Sequence, residues 1–373
     1  MTDWIKIEDC CEILDSQRIP IKSSERKAGP YPYYGANGIQ DHVDDFIFDD
    51  ELVLLAEDGG NFNSKDKPIA YRVSGKCWVN NHAHVLKPKN NIDVDYLCYS
   101  LMYYKVDGII NGATRQKLTQ SSMRKMKIPK RDLKEQHRIT QKLKTIQDIK
   151  EKYQQEKNKL EYLVKARFVE MFGTFPTNEK KWETGIIKDL VNEVRYGSSR
   201  KAAEGNSGKY PYLRMNNITY NGELDLTDTK TIDIPDKELD KCTVRRGDLL
   251  FNRTNSKELV GKTCVYNRDE IMVLAGFVVR VRLNKKALPE FVSAFLNTDF
   301  SKKMLLNKCK TAIGQANINA QELQSIGIYI PPIEKQKKFV SFKAQVDKSK
   351  FFIFRIQACY NIFIQIDFNS LIF

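Results

Sequence analysis

The longest stretch without Gly or Pro runs from Lys130 to Phe172, and it constrains the fold more than any other part of the chain. Pro129 precedes it and Gly173 follows it, as is usual at the start and end of a helix. Asp132 and Glu135 are spaced to cap its first turn. A helix of about 40 residues is about 60 Å long at 1.5 Å per residue. Such a helix has to pack against another helix, and its length suits a spacer.

Apolar residues along this helix follow two interleaved heptad positions, which is typical of a coiled coil. Lys150 and Lys157 occupy one of these positions and thin the apolar seam in the middle. The seam residues are predicted to form the spacer and a subunit interface: Ile139, Leu143, Ile146, Tyr153, Leu160 and Val164.

The chain repeats itself. Ile128-Pro129 leads to Gln136, and Ile330-Pro331 leads to Gln336, 200 residues later. Residues 112–118 are echoed by 311–318, and residues 4–9 by 182–189. A repeat of about 190 residues indicates duplicated domains rather than a solenoid. We therefore predict a first globular domain at 1–127, a long helix at 128–173, a second globular domain at 174–327 and a second long helix at 328–373.

Each globular half is predicted to be a sheet with short helices. Short β-rich runs such as 52–56 and 275–283 alternate with polar turns, of which Asn37-Gly38 is the clearest. The predicted fold class is therefore α+β, with two similar domains of mixed or antiparallel sheet.

The net charge of +14 is unevenly distributed. Residues 116–172 carry 16 Lys and Arg against 7 Asp and Glu, whereas residues 1–115 carry 13 against 18. A basic helical arm favours a polyanionic partner, most simply nucleic acid. The alternative is a solvated, lysine-rich helix face.

Polar clusters in equivalent loops of the two halves are candidate DNA contacts, because Asn can pair with adenine and Arg with guanine. The alternative for each Asn is a turn-forming role. The predicted DNA-binding residues are Tyr33, Tyr34, Asn37, Asn61, Arg214, Asn216, Asn217, Arg253, Thr254 and Asn255.

Catalytic motifs are not found in the sequence. There is no Walker A pattern and no Asn-Pro-Pro-aromatic or Asp-Pro-Pro-aromatic tetrapeptide. Cys77, His82 and His84 lack a matching second pair of ligands, so no metal site is predicted.

Several motifs resemble the specificity (S) subunit of a type I restriction-modification enzyme. They are residues 33–39, 112–116, 212–218, 247–254 and 259–262, together with both Ile-Pro…Gln helix starts. The resemblance implies two target-recognition domains joined by two long antiparallel coiled-coil helices in a pseudo-twofold tandem repeat. It implies a non-catalytic protein in which each half reads one half of a bipartite site in double-stranded DNA. Methyltransferase (M) and restriction/translocase (R) subunits would be the partners, and they would hold S-adenosylmethionine, ATP and Mg.

The last residues depart from that family. Sixteen of the 23 residues after Lys350 are apolar or aromatic, which indicates a frameshifted or truncated end of the second helix. Polar residues interrupt this run, so no membrane span is predicted. The start of the chain does not read as a signal peptide, and unpaired cysteines favour a cytoplasmic protein. The alternative functions are a stand-alone DNA-binding regulator or inactive relic of such a subunit, and a coiled-coil scaffold that binds proteins only.

Overall fold

A computed structural model describes residues 3–64, 67–112, 116–312 and 315–372, with side chains up to residue 353 except for residues 311 and 312. The chain forms two compact units. The first comprises residues 1–153 with 355–373, and the second comprises residues 154–354. Both boundaries fall inside long helices, so the four-part domain division stays a prediction.

The first unit is built on one six-stranded sheet. Its elements are β1 (Trp4–Lys6), α1 (Ile7–Cys10), β2 (Cys11–Ile13), β3 (Ala28–Gly35), β4 (Gly38–Val43), β5 (Phe48–Ala56), β6 (Ala70–Val79), β7 (Ala83–Pro88), α2 (Val94–Met102), α3 (Gln120–Lys125), β8 (Lys127–Pro129) and the start of α4 (Leu133–Phe172). The strand order is β2-β7-β5-β6-β3-β4, with β3 and β6 parallel and the other neighbours antiparallel. A separate pair, β1 and β8, joins the start of the unit to the residues before α4.

The second unit repeats this plan. Its elements, after the end of α4, are β9 (Glu183–Ile186), β10 (Val191–Tyr196), β11 (Tyr210–Leu213), β12 (Lys230–Ile232), α5 (Asp236–Cys242), β13 (Thr243–Val244), β14 (Leu249–Asn252), β15 (Thr254–Asn255), β16 (Thr263–Val265), β17 (Met272–Leu274), β18 (Val278–Leu283), α6 (Pro289–Leu296), α7 (Asp299–Lys308), β19 (Lys310–Ala312), β20 (Gln315–Asn317), α8 (Ala320–Gln324), β21 (Gly327–Ile330) and α9 (Ile333–Ile372). Two sheets have the orders β10-β18-β14-β16 and β12-β11-β17-β13. Strands β16 and β17 together take the place of β6, and β11 pairs with β17 in parallel as β3 does with β6.

The seam of α4 packs into the core of each unit in turn. Ile139 and Leu143 are buried with the α2 residues of the first unit, and Ile146 packs at the edge of the same core. Val164 packs against the core of the second unit, next to Phe168. The two remaining predicted seam residues, Tyr153 and Leu160, are half-buried. Four of the six predicted spacer residues thus pack within their own chain, and the part of all six in a subunit interface stays a prediction.

Within the second unit, the end of α4 lies against the start of α9. The Phe168 and Phe339 ring centroids are 5.2 Å apart in an edge-to-face contact, and the Arg167 guanidinium lies 5.7 Å from the Phe342 ring. The last turns of one helix therefore pack on the first turns of the other. Helix α9 continues to Ile372, so the apolar tail in which the sequence analysis placed a frameshifted or truncated end is helical up to that residue. No helix among the described residues is long and apolar enough to cross a membrane.

The two Gln residues that marked the repeat have the same structural role. Each is completely buried near the start of its long helix. The Gln136 side chain accepts a hydrogen bond from the backbone N–H of Asp93 (2.7 Å) and donates to the carbonyls of Asn91 (3.0 Å) and Arg131 (2.9 Å). Asp93 caps α2. Gln136 therefore links the start of α4 to the start of α2, the helix that covers the sheet.

Gln336 reproduces this arrangement in the second unit. It accepts from the backbone N–H of Leu288 (2.9 Å), which precedes α6. It donates to the carbonyls of Lys286 (3.0 Å) and Pro331 (2.8 Å). The duplication therefore extends to individual hydrogen bonds.

Candidate nucleic-acid interface

The loop after β11 brings together three predicted DNA-binding residues, but their side chains differ in exposure to solvent. Asn217 is 2% exposed; its Oδ1 accepts from the backbone N–H of Arg214 (2.9 Å) and its Nδ2 donates to the Asp225 carbonyl (2.8 Å). The Arg214 side chain is partly exposed and pairs with Asp228 at 2.9 Å. Asn216 is exposed at the turn. Asn217 therefore shapes the loop, and Asn216 is the member of the cluster whose side chain is best placed to meet a base.

The second predicted cluster lies where β14 ends. Thr254 is buried, and its hydroxyl accepts from Asn317 at 3.2 Å. Asn255 donates to the Asn252 Oδ1 at 2.8 Å. The Arg253 guanidinium lies 4.9 Å from the ring of Tyr196, which is 44% exposed. Arg253 and Tyr196 thus form a cationic and aromatic surface, of which the sequence analysis included Arg253 alone.

In the first unit, the two predicted tyrosines belong to the sheet. Tyr33 is 1% exposed, and its hydroxyl bonds to both backbone groups of Ile21. Tyr34 is half-buried and stacks on Tyr71, with ring centroids 5.8 Å apart. Burial of the Tyr33 side chain makes it part of the framework and removes it from any surface that DNA could touch.

The two predicted asparagines of the first unit lie in neighbouring turns. Asn37 is exposed in the turn between β3 and β4, and its Nδ2 donates to the Gly59 carbonyl at 2.9 Å. Asn61 follows Gly59 by two residues and donates to the Pro68 carbonyl at 3.4 Å. The structure therefore brings these two turns together, and the prediction that they contact DNA remains open to test.

A buried polar cluster behind these turns was not predicted. The Asp15 carboxylate bonds to His84 Nδ1 (2.7 Å) and accepts from the Val85 N–H (2.9 Å) and from Gln120 (2.9 Å). His84 is completely buried, and its Nε2 faces the Leu118 carbonyl at 2.9 Å. Asp15, Glu57 and His84 are close enough to hold a cation. Both nitrogens of His84 already have protein oxygens as hydrogen-bond partners, at 2.7 and 2.9 Å, so a structural network fits better than a cation site.

This network should make the first unit sensitive to acid. Burial alone raises the pKa of Asp15, but the hydrogen bonds from His84, Gln120 and Val85 outweigh it and lower the pKa below its usual value. A carboxylate with a lowered pKa stabilises the fold above the unfolded-state pKa, near 4, and this contribution is lost as the pH falls. We expect Asp15→Asn to lower the melting temperature at pH 7, and the difference from the natural chain to shrink towards pH 3. A constant difference would contradict this assignment.

In the second unit, the loop from Thr219 to Leu224 connects the loop after β11 to both long helices. Asn221 donates to Glu161 of α4 at 2.6 Å, and Lys350 of α9 pairs with Glu223 at 2.8 Å. Burial raises the pKa of Glu223, but the hydrogen bond and charge of Lys350 lower it below its usual value. Side-chain contacts from the adjacent loop therefore link the loop that carries Asn216 to α4 and α9.

Comparison with known proteins identifies the class of protein that this fold and these loops define. The family model of the type I restriction modification DNA specificity domain matches residues 1–162 and 179–353. These two ranges include most of both units, so the chain belongs to that family.

Curated relatives agree with this assignment. Over 309 residues the chain is 25% identical to the type I restriction enzyme EcoKI specificity subunit of Escherichia coli (strain K12), covering 78% of this chain and 66% of that relative. It is 36% identical over 127 residues to a putative type I restriction enzyme specificity subunit of Haemophilus influenzae, covering 34% of this chain and 32% of the relative. The chain thus spans less than two thirds of the length of these relatives.

Solved structures show the same fold. The crystal structure of the type I restriction-modification system S subunit from M. genitalium has a TM-score of 0.57 at 12% identity and covers 100% of this chain and 96% of its own. A chain from a structure that describes complex assembly and conformational transition of the type I R-M system has a TM-score of 0.54 at 13% identity, with 99% and 96% covered. The predicted α+β fold with tandem halves is confirmed.

Proposed function

We propose that this chain is the sequence-specific DNA-binding subunit of a type I restriction-modification system, with each unit reading one half of a bipartite site. The observation that carries the proposal is the duplicated framework: equivalent strand pairings, with β16 and β17 in the place of β6, and one Gln-anchored helix start occur in both units, with different side chains at the loop tips. A repeated frame with different tips is what two readers of different half-sites require. Base edges specify sequence, whereas lysines, arginines and backbone amides position the duplex.

The electrostatics of the second unit fit this role. Lys262 is 6% exposed and donates to the Met215 carbonyl at 2.8 Å, directly beneath the loop with Asn216. Burial, with the ammonium groups of Lys165 and Lys262 nearby, lowers the pKa of Lys302 to about 8. Several cations thus lie close together behind the predicted reading loop, where an approaching phosphate backbone would stabilise their charge.

The proposed partners follow from the family. Methyltransferase subunits would bind along the long helices, and restriction/translocase subunits would join them. S-adenosylmethionine, ATP and Mg would belong to those subunits, and this chain would supply recognition without catalysis.

Purified alone, the chain should bind duplex DNA and catalyse nothing. Because phosphate contacts release counterions, the observed affinity should fall steeply between about 50 and 200 mM salt. Measurable methyl transfer, ATP hydrolysis or DNA cleavage by the isolated chain would contradict a non-catalytic role. Duplex binding without co-purification of a methyltransferase would favour a stand-alone regulator or an inactive relic, and absence of any duplex binding would favour a protein-only scaffold.

Asn216 tests the reading loop directly. Its exposed side chain is expected to contact a base, so Asn216→Ala should weaken specific binding by about 1–3 kcal/mol and relax one position of the second half-site. The matched control is Asn307→Ala, because Asn307 is also exposed in the same unit but lies on α7. Binding competition with single-base variants of the site measures both effects. Equal weakening on every sequence would indicate a phosphate contact instead.

A further inference from the structure

Equivalent hydrogen bonds identify equivalent positions at the loop tips of the two units. In the first unit, the backbone N–H of Glu57 donates to the His82 carbonyl at 2.9 Å. In the second, the backbone N–H of Arg253 donates to the Phe277 carbonyl, also at 2.9 Å. Phe277 therefore occupies the place of His82, and Arg253 occupies the place of Glu57.

A second pair of bonds confirms this alignment. The N–H of Leu118 donates to the Glu57 carbonyl at 2.7 Å, and the N–H of Ile318 donates to the Arg253 carbonyl at 2.9 Å. Leu118 and Ile318 belong to the segments that already repeat in the sequence. The backbone at this edge is thus the same in both units.

The side chains on this shared frame have opposite chemistry. His82 pairs with Asp58, and Glu57 pairs with Arg18 at 2.6 Å. In the second unit, the same two positions hold the arginine beside Tyr196 and a phenylalanine that is 49% exposed. In the first unit, these two positions hold polar side chains that are paired within the protein. In the second unit, they hold an arginine and an exposed phenylalanine ring. This difference suits two units that contact different chemical groups of a ligand.

Hydrogen bonds hold the backbone that carries the exposed ring of Phe277. Its backbone carbonyl accepts from the Arg253 N–H and from Asn252 Nδ2 (3.1 Å). The neighbouring Gly276 donates to the Ser198 carbonyl at 2.7 Å, and Val278 donates to the Ala275 carbonyl at 2.9 Å. An apolar side chain left half in water on a fixed turn forgoes part of its hydrophobic stabilisation. A ligand that covers it would recover that free energy.

We propose that Phe277 reads a thymine in the second half-site by apolar contact with its 5-methyl group in the major groove. This inference rests on the proposed DNA-binding function. Apolar contact with this methyl group is a standard means of distinguishing thymine. Phe277 is 49% exposed and the protein covers the rest of the residue, so contact at a base edge fits it better than insertion between base steps. Arg253, held beside Tyr196, is then placed to meet the adjacent phosphate or guanine.

The test removes the methyl group from the DNA. The recognised sequence is first found by methylome sequencing of cells that carry this chain with its methyltransferase. Each thymine of the second half-site is then replaced in turn by deoxyuridine, and duplex affinity is measured for the natural chain, Phe277→Ala and Phe277→Leu. The control is Ile271→Ala, because Ile271 is 62% exposed in the same unit and lies in another turn.

One replacement should weaken binding by the natural chain about three- to fivefold, the size expected for one methyl group. Phe277→Ala should be insensitive to that replacement, whereas Phe277→Leu and Ile271→Ala should remain sensitive. The melting temperatures should stay within about 2 °C of the natural chain, since both positions are exposed. Persistence of the uracil effect in Phe277→Ala, or no effect at any thymine, would overturn the inference. If the natural chain bound all duplexes alike, the proposed function itself would fail.

Discussion

Replacing Gln336 by leucine should destabilise the second unit by about 3 kcal/mol. The change leaves three backbone groups without their partner: the buried carbonyl of Pro331, and the partly buried N–H of Leu288 and carbonyl of Lys286. A buried polar group left without a hydrogen bond costs about 1–3 kcal/mol, and carbonyls tolerate the loss better than N–H groups. For a unit of this size, the loss corresponds to a fall of about 6–12 °C in melting temperature.

The controls separate this bond network from the general cost of a new leucine. Gln345 is exposed on the same helix, so Gln345→Leu should melt within about 2 °C of the natural chain. Gln336→Glu should be at least as damaging as Gln336→Leu, because a buried carboxylate would face two carbonyl oxygens. Gln136→Leu, with the exposed Gln141→Leu as its control, should reproduce the effect in the first unit. Thermal unfolding by circular dichroism measures all five variants, and equal melting of Gln336→Leu and Gln345→Leu would refute this role.

The sequence predicted these glutamines as landmarks of a repeat, but not as anchors. Their 200-residue spacing is visible in the sequence because each Gln belongs to a short Ile-Pro…Gln motif that occurs in both halves. Each Gln has one partner five residues before it, but its other two partners lie 43 to 50 residues away in the chain, just before α2 and α6. Helix periodicity and capping predict where α4 begins and ends, whereas tertiary packing decides which of its polar residues turn inward.

The loops of the candidate interface were predicted more reliably than the direction of their side chains. Asn217 and Thr254 lie in predicted reading loops, yet both are buried, because nearby backbone and side-chain groups need hydrogen-bond partners. A polar residue in a turn looks the same in sequence whether it serves the backbone or a ligand. The Asp15–His84 pair was missed because its members are 69 residues apart. Phe277 was missed because the sequence analysis placed it inside the β-rich run 275–283, where an aromatic residue is typical of a core, whereas the strand begins at Val278.

Changing the length of α4 should change the length of the unread gap between the two half-sites. The helix is continuous from Leu133 to Phe172, and the division between the two units falls inside it, between Tyr153 and Gln154. If α4 is the spacer between two readers, inserting one heptad after Lys150 preserves the apolar seam and adds about 10 Å at 1.5 Å per residue. At about 3.4 Å per base pair, the unread gap between half-sites should grow by up to about three base pairs. Growth will be smaller where the helix runs obliquely to the DNA axis.

Both half-sites should keep their sequences, since no reading loop changes. Affinity should fall, because the insertion also rotates one reader about the helix axis. A matched variant with a second heptad after Lys350 in α9 keeps the two helices equal in length and should recover part of that loss. Insertion of four residues instead breaks the heptad phase and should abolish assembly. Methylome sequencing of cells that carry each variant with its methyltransferase reads the gap directly, and an active heptad variant with an unchanged gap would show that α4 does not set the spacing.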